Sequence, residues 1–94
     1  MAFMFARLEL HNAQDEDFDN LHSNMARAGF HRRMRNGGVG CDLPWGYYAS
    51  DQYDGSQDAL AAVQIAIERT GKTASTVVSR ATDIVSSGLK NCRK

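Results

Sequence analysis

The chain has 94 residues, and its eleven basic side chains are balanced by eleven acidic ones, for a formal net charge of zero. That length allows one domain, residues 1–94, with a single core of two packed layers. The charge balance leaves no global field to draw the protein onto nucleic acid, so any such attraction has to come from local patches.

From Ala2 to Leu10 the chain alternates, with Met4, Ala6, Leu8 and Leu10 on one side and Phe3, Phe5, Arg7 and Glu9 on the other. That period predicts a half-buried strand over 3–10. A helix over 15–28 follows. It begins in the acidic cluster Asp15, Glu16, Asp17 and Asp19, as the positive end of its dipole favours. Phe18, Leu21, His22, Met25 and Ala28 then form one stripe, and Gly29 ends it as a C-terminal cap. Asn36-Gly37-Gly38 separates a basic run, Phe30 to Arg35, from an apolar alternation over Val39, Cys41, Leu43, Trp45, Tyr47 and Ala49. Asparagine and glycine tolerate the positive φ of a tight turn, so the pattern predicts a hairpin with strands at 30–36 and 39–50. Pro44 has no N–H to donate, and the second strand should break or bulge at Leu43-Pro44. Ser56 opens a helix over 57–70 with Leu60, Val63 and Ile67 on one face, stopped by Gly71. β-branched residues predict a last strand over 75–80, then a helical turn near 83–88, with 89–94 as a flexible tail; the stretch 74–89 also fits one helix, with Val77, Val78, Ala81, Ile84, Val85 and Leu89 at helical spacing.

The resulting order is β-α-β-β-α-β. Its compact solution is an α+β, ferredoxin-like domain: a four-stranded antiparallel sheet with two helices on one face. The helix-covered face is expected to bury Trp45 with Leu8, and the open face to show Phe3, Phe5, Arg7 and Tyr48. Cys41 and Cys92 are far apart in sequence, which points away from a disulfide framework; Cys41 reads as a small buried hydrophobe. No apolar run approaches membrane-spanning length, and Arg7 and Glu9 interrupt the N-terminal stretch too soon for a signal-peptide core. The expected location is a reducing cytoplasm, away from any membrane.

Arg7-Leu8-Glu9-Leu10-His11, Leu21-His22 with Met25, Gly29-Phe30, and Leu43-Pro44 with a tyrosine soon after give a pattern that resembles the GhoS-like family, across roughly the first half of the chain. These are bacterial antitoxins of type V toxin–antitoxin systems. The resemblance implies a ferredoxin-like fold similar to the CRISPR-associated integration nucleases, and a sequence-selective endoribonuclease that cuts a toxin message. The shared residues are mostly structural and do not by themselves single out a catalytic group.

Cleavage of RNA needs a metal, or a general base for the 2′-hydroxyl with a cation for the phosphorane. His11 and His31 are the candidate bases, with Arg33 as the cation. Arg32, Arg33 and Arg35 form the candidate nucleic-acid surface. His22, on an apolar stripe, reads as a core residue, and the edge arginines also deter sheet-to-sheet aggregation. The acidic cluster suits a helix N-terminus better than a metal, and Gly37-Gly38-Val39-Gly40 lacks the helix start of a phosphate loop. Neither a metal nor a cofactor is expected. Phe3, Phe5 and Tyr48 are expected to form a homodimer interface first and an RNA-stacking face second. The rival to an RNA-associated dimer is a non-catalytic module docking on a larger protein, such as a phage- or plasmid-encoded inhibitor or regulator.

Overall fold

β1 (Phe3–Leu10) is the central strand of the larger sheet in the computed structural model, which describes residues 3–36 and 39–93. It pairs antiparallel with β4 (Tyr47–Ser50) on one side and with β5 (Ala74–Ala81) on the other. Met4, Ala6, Leu8 and Leu10 are buried as their alternation predicts, and they pack with residues from α1 (Asp15–Arg27) and α2 (Ser56–Glu68) in one core. Leu21 and Met25 represent the first helix there, and Ala59, Val63, Ala66 and Ile67 the second. A residue such as Leu21 or Val63, removed from water, contributes about 1.5–3 kcal/mol.

Both ends of α1 are closed by local chemistry. The backbone N–H of Gln14 donates to Asp17 Oδ2 at 2.9 Å, so the acidic first turn serves the helix start, and Asp17 also meets Lys72 at 3.8 Å. At the other end Gly29 has φ +84°, its N–H reaches the Ala26 carbonyl, and Phe30 N–H reaches the Met25 carbonyl. That is a Schellman closure, and its hydrophobic contact is the Phe30–Met25 pair, both fully buried. A Cβ at position 29 would also run into the Gln52 side chain.

The hairpin departs from expectation. β2 (Arg33–Asn36) and β3 (Val39–Asp42) pair in register, but with β6 (Lys90–Arg93) they make a separate three-stranded sheet of order β2-β3-β6. The molecule therefore has two three-stranded antiparallel sheets and not one four-stranded sheet. The cause lies at residues 43–46. The chain leaves β3 at Leu43, as Pro44 requires, and turns through Pro44-Trp45-Gly46-Tyr47, with Tyr47 N–H on the Pro44 carbonyl. Gly46 has φ +86°, the third-position geometry of a type II turn. The turn resets the alternation, so Tyr48 faces the helices at 2% exposure and Trp45 stands out at 68%. The expected Trp45–Leu8 burial is thereby overturned, as is the placing of Cys41, Leu43 and Tyr47 on the helix-covered face; the side chain of Val39 lies outside the described residues. Gly37 and Gly38, the expected turn, also lie outside the described residues.

β5 covers the predicted 75–80, but residues 83–88 form no helical turn. They carry the chain back to β3, where Lys90–Arg93, read from sequence as tail, forms β6. Opposite Cys41 alone, β6 spends two residues, Asn91 and Cys92, because Gly40 faces Arg93 and Asp42 faces Lys90. This bulge puts Asn91 at φ +53°, a conformation asparagine tolerates better than most residues. It also brings Cys92 against Cys41, and the two form a disulfide. The expectation of unpaired cysteines fails because a strand invisible to periodicity joins positions 51 residues apart. Disulfides persist where thiols are not kept reduced, so cysteine usage no longer argues for a reducing cytoplasm. No helix among the described residues is long and apolar enough to cross a membrane.

Closing a loop of that size should stabilise the fold by about 2–4 kcal/mol. Cys92→Ser, or reduction of the wild type, should lower Tm in a circular-dichroism melt accordingly. An unchanged Tm would show that β6 does not depend on the bridge.

Candidate functional site

The turn that frees Trp45 also forms the wall between two concavities. The larger, about 720 Å³, is lined by His31, Arg32, Arg33 and Met34 from the approach to β2 and its start, and by Gly40, Asp42 and Leu43 through Gly46. The smaller, about 80 Å³, is lined by Leu8, Glu9, Phe18, Leu21, His22 and Tyr48 among others, and shares Trp45 and Gly46 with the first. The Trp45 indole is braced without being buried. The Phe18 ring lies 5.3 Å away at 59°, and the His22 ring meets it edge-on at 5.8 Å. An exposed aromatic held in one orientation is a stacking platform with little ordering entropy left to lose on binding.

Behind the indole, His22 Nδ1 and the Tyr48 hydroxyl are 2.6 Å apart. Burial, then the nearby Arg32 charge, lowers the His22 pKa below its ordinary value, although Asp19 opposes them. Burial pushes the Tyr48 phenol up to about 12, with Arg32 pulling the other way. Both groups are therefore neutral at physiological pH. The contact is satisfied by the tautomer in which Tyr48 donates to Nδ1 and the imidazole proton sits on Nε2.

Arg32 is the exposed cation of this site. Its carbonyl accepts from Leu43 N–H at 2.7 Å, fixing the backbone, while its guanidinium makes no ion pair among the described residues. His31 is exposed beside it, and its backbone exchanges two hydrogen bonds with Ala49, at 2.9 and 2.8 Å. Arg33 has a different duty. Its guanidinium pairs with Asp42 Oδ1 and donates to the carbonyls of Gly40, at 2.8 Å, and Asn91, at 3.0 Å. The Asn91 amide donates in turn to Asp42 Oδ2, and this bond, followed by the Arg33 and Arg32 charges, lowers the Asp42 pKa despite some desolvation. Arg33 thus clamps β6 to the hairpin with its charge neutralised, and the side chain of Arg35 lies outside the described residues.

The other residues singled out from sequence lie apart from this site. The His11 ring bonds Thr73 Oγ1 at 3.0 Å and Ser75 Oγ at 2.9 Å, a tie between the end of β1 and the start of β5, and lines neither concavity. Phe3 and Phe5 stack at 6.1 Å on the face away from the helices, half-buried. There Phe5 lines a groove of about 440 Å³ closed in part by Ile84 and Leu89, so the chain's own C-terminal segment lies along the face expected to be open. Tyr48, buried among the helices, is absent from that face. Asp15, Glu16, Asp17 and Asp19 belong to no group of three His, Cys, Asp or Glu able to hold a metal among the described residues. Sequence reasoning assigned His22 and Trp45 to the core and gave neither a place in a site; for Trp45 the signal available was Gly46 two residues after Pro44, a turn signature that breaks the alternation.

Comparison with known proteins finds no family model, curated protein or solved structure that matches this chain.

The His22 shift fixes the sign of one pH effect. Because the folded value is depressed, the unfolded chain takes up a proton first as pH falls below 6.5, and stability is lost on through the folded value. Tm should therefore fall on acidification through this window more steeply in the wild type than in His22→Gln. Parallel slopes would show that His22 protonates freely in the folded protein.

Proposed function

We propose that the protein binds single-stranded RNA through the cleft between Arg32 and Trp45. The observation that carries this reading is the braced, 68% exposed indole beside a guanidinium that makes no ion pair among the described residues. A base can stack on Trp45 for about 1–3 kcal/mol, and Arg32 can take a flanking phosphate bidentately. His31 adds a second donor on the same rim. A single committed cation predicts modest affinity and a shallow salt dependence, in keeping with a formal net charge of zero.

The strand order β5-β1-β4, with His31 bridging the outer edge of β4, supports a ferredoxin-like reading in which the second strand has shrunk to one bridge and its hairpin has become a separate sheet. The resemblance to GhoS-like antitoxins is compatible with that topology. We assign binding and not cleavage, because His11 and Arg33, two of the three candidate catalytic groups, are occupied by structural bonds, and His11 lines neither concavity.

Trp45 is the chain's single tryptophan, so its fluorescence reads the site directly. Titration with a single-stranded RNA oligonucleotide at low salt should quench it. Arg32→Gln should weaken binding and reduce the slope of log K against log salt by about 0.7, the share of one phosphate on a single strand. Trp45→Ala should cost affinity by about 10-fold or more, read by anisotropy of labelled RNA. Absence of quenching and of anisotropy change in the wild type would favour docking on a protein partner, since exposed Trp and Arg also anchor protein interfaces.

A further inference from the structure

The edges of the larger sheet are unequal. β4 has its outer edge engaged by the paired backbone hydrogen bonds of His31 and Ala49. β5 pairs with β1 alone among the described residues, so its other edge is open along all eight residues. Strand edges of this length are usually blunted by proline, a bulge or several charges, because an unpaired row of N–H and C=O groups is a template for another strand. β5 has none of the first two and a single charge, Arg80, and it runs opposite β1 in unbroken register from Ala74 to Ala81.

Which groups face outward follows from the ladder. His11 N–H donates to the Thr73 carbonyl, so Thr73 points its backbone groups at β1. Alternation then turns those of Ala74, Thr76, Val78 and Arg80 to the free edge. We propose that β5 pairs antiparallel with β5 of a second copy of this chain, about a two-fold axis at Val77. In that register Thr76 meets Val78 and Ala74 meets Arg80, and each of these pairs exchanges both backbone hydrogen bonds. Val77 meets itself at the axis, and Ser75 meets Ser79.

Three features select a second copy over an unrelated strand. The register sets no like charges opposite one another, since Arg80 faces Ala74. It puts together two Val77 side chains that are 67% exposed in the single chain. And because β4 is already engaged at the opposite edge, pairing through β5 closes after one addition and does not propagate into a fibre. Val77 and Ser79 share the face of Phe3 and Phe5, since they lie opposite Arg7 and Phe5 in the ladder, but the axis runs through β5 and the Phe3–Phe5 stack sits on β1 behind it. The pairing stands independently of RNA binding.

Light scattering on the wild type should give twice the chain mass. Val77→Lys sets two ammonium groups against each other at the axis while leaving the β1 ladder untouched. It should halve the mass with an unchanged circular-dichroism spectrum, while Tm falls somewhat because the dimer is lost and the new charge lies opposite Arg7 of β1. Thr76→Pro removes an outward N–H and should act likewise. Val77→Cys should cross-link into a covalent dimer on mild oxidation, because paired residues of this non-hydrogen-bonded kind bring their Cα atoms to about 4.5 Å. A wild type of single-chain mass overturns the proposal. So does a Val77→Lys variant that stays dimeric, or a Val77→Cys variant that gives no cross-linked species while the wild type is dimeric.

Discussion

Gly46 is the constraint on which the rest of the arrangement turns. Its φ of +86° is open to glycine at little cost, and a Cβ there would come within 3.1 Å of the Leu8 carbonyl oxygen. The same backbone returns a hydrogen bond, Leu8 N–H to the Gly46 carbonyl at 2.9 Å, that seats β4 against β1. Everything downstream of this contact has its phase set by it. Tyr48 goes inward to His22, Tyr47 goes outward to lie under the Arg7 guanidinium at 5.7 Å, and Trp45 is left on the rim. A side chain at position 46 would be strained at this φ and would press on the Leu8 carbonyl, disturbing the turn that positions all three.

The second sheet shows how a small domain divides its cations between structure and surface. Three strands of four residues each cannot bury much apolar area. Their cohesion comes instead from the Cys41–Cys92 bridge and from Arg33, which joins Asp42, Gly40 and Asn91 in one network. Exposed ion pairs taken singly contribute little, but a guanidinium shared among three acceptors beside a covalent link holds a geometry no single pair would hold. The consequence for function is subtraction. Of the basic run from His31 to Arg35, Arg33 is spent on the clamp, and Arg32 is left to face the cleft.

His31 joins the larger sheet to the cleft. Its backbone is the last rung of the larger sheet, and its side chain stands at the rim of the cleft beside Arg32. The chain leaves the larger sheet immediately after that rung, which is why the hairpin is free to form its own sheet with β6. The same rung closes one edge of the sheet and leaves β5 as the open one.

The amino-acid sequence by itself determined the elements whose physics is local. The period-two alternation of 3–10, the helical stripe from Phe18 to Ala28, the Gly29 cap and the β-branched run in β5 each carry their cause within about a dozen residues, and each lies where its pattern places it. The break at Pro44 was legible for the same reason, since a missing N–H is a property of one residue. What followed the break was not. The reset at Gly46 depends on how close Leu8 comes, the strand at Lys90–Arg93 exists only because β3 offers it an edge, and the disulfide exists only because that strand docks. The site shows the same division: a basic run beside an aromatic one could be read directly, whereas Arg33 was assigned to the structural clamp, His22 to the support behind the indole and Trp45 to the surface by partners 7 to 58 residues away. Only tertiary structure decides such contacts, because their energies belong to pairs of groups that the chain order does not bring together.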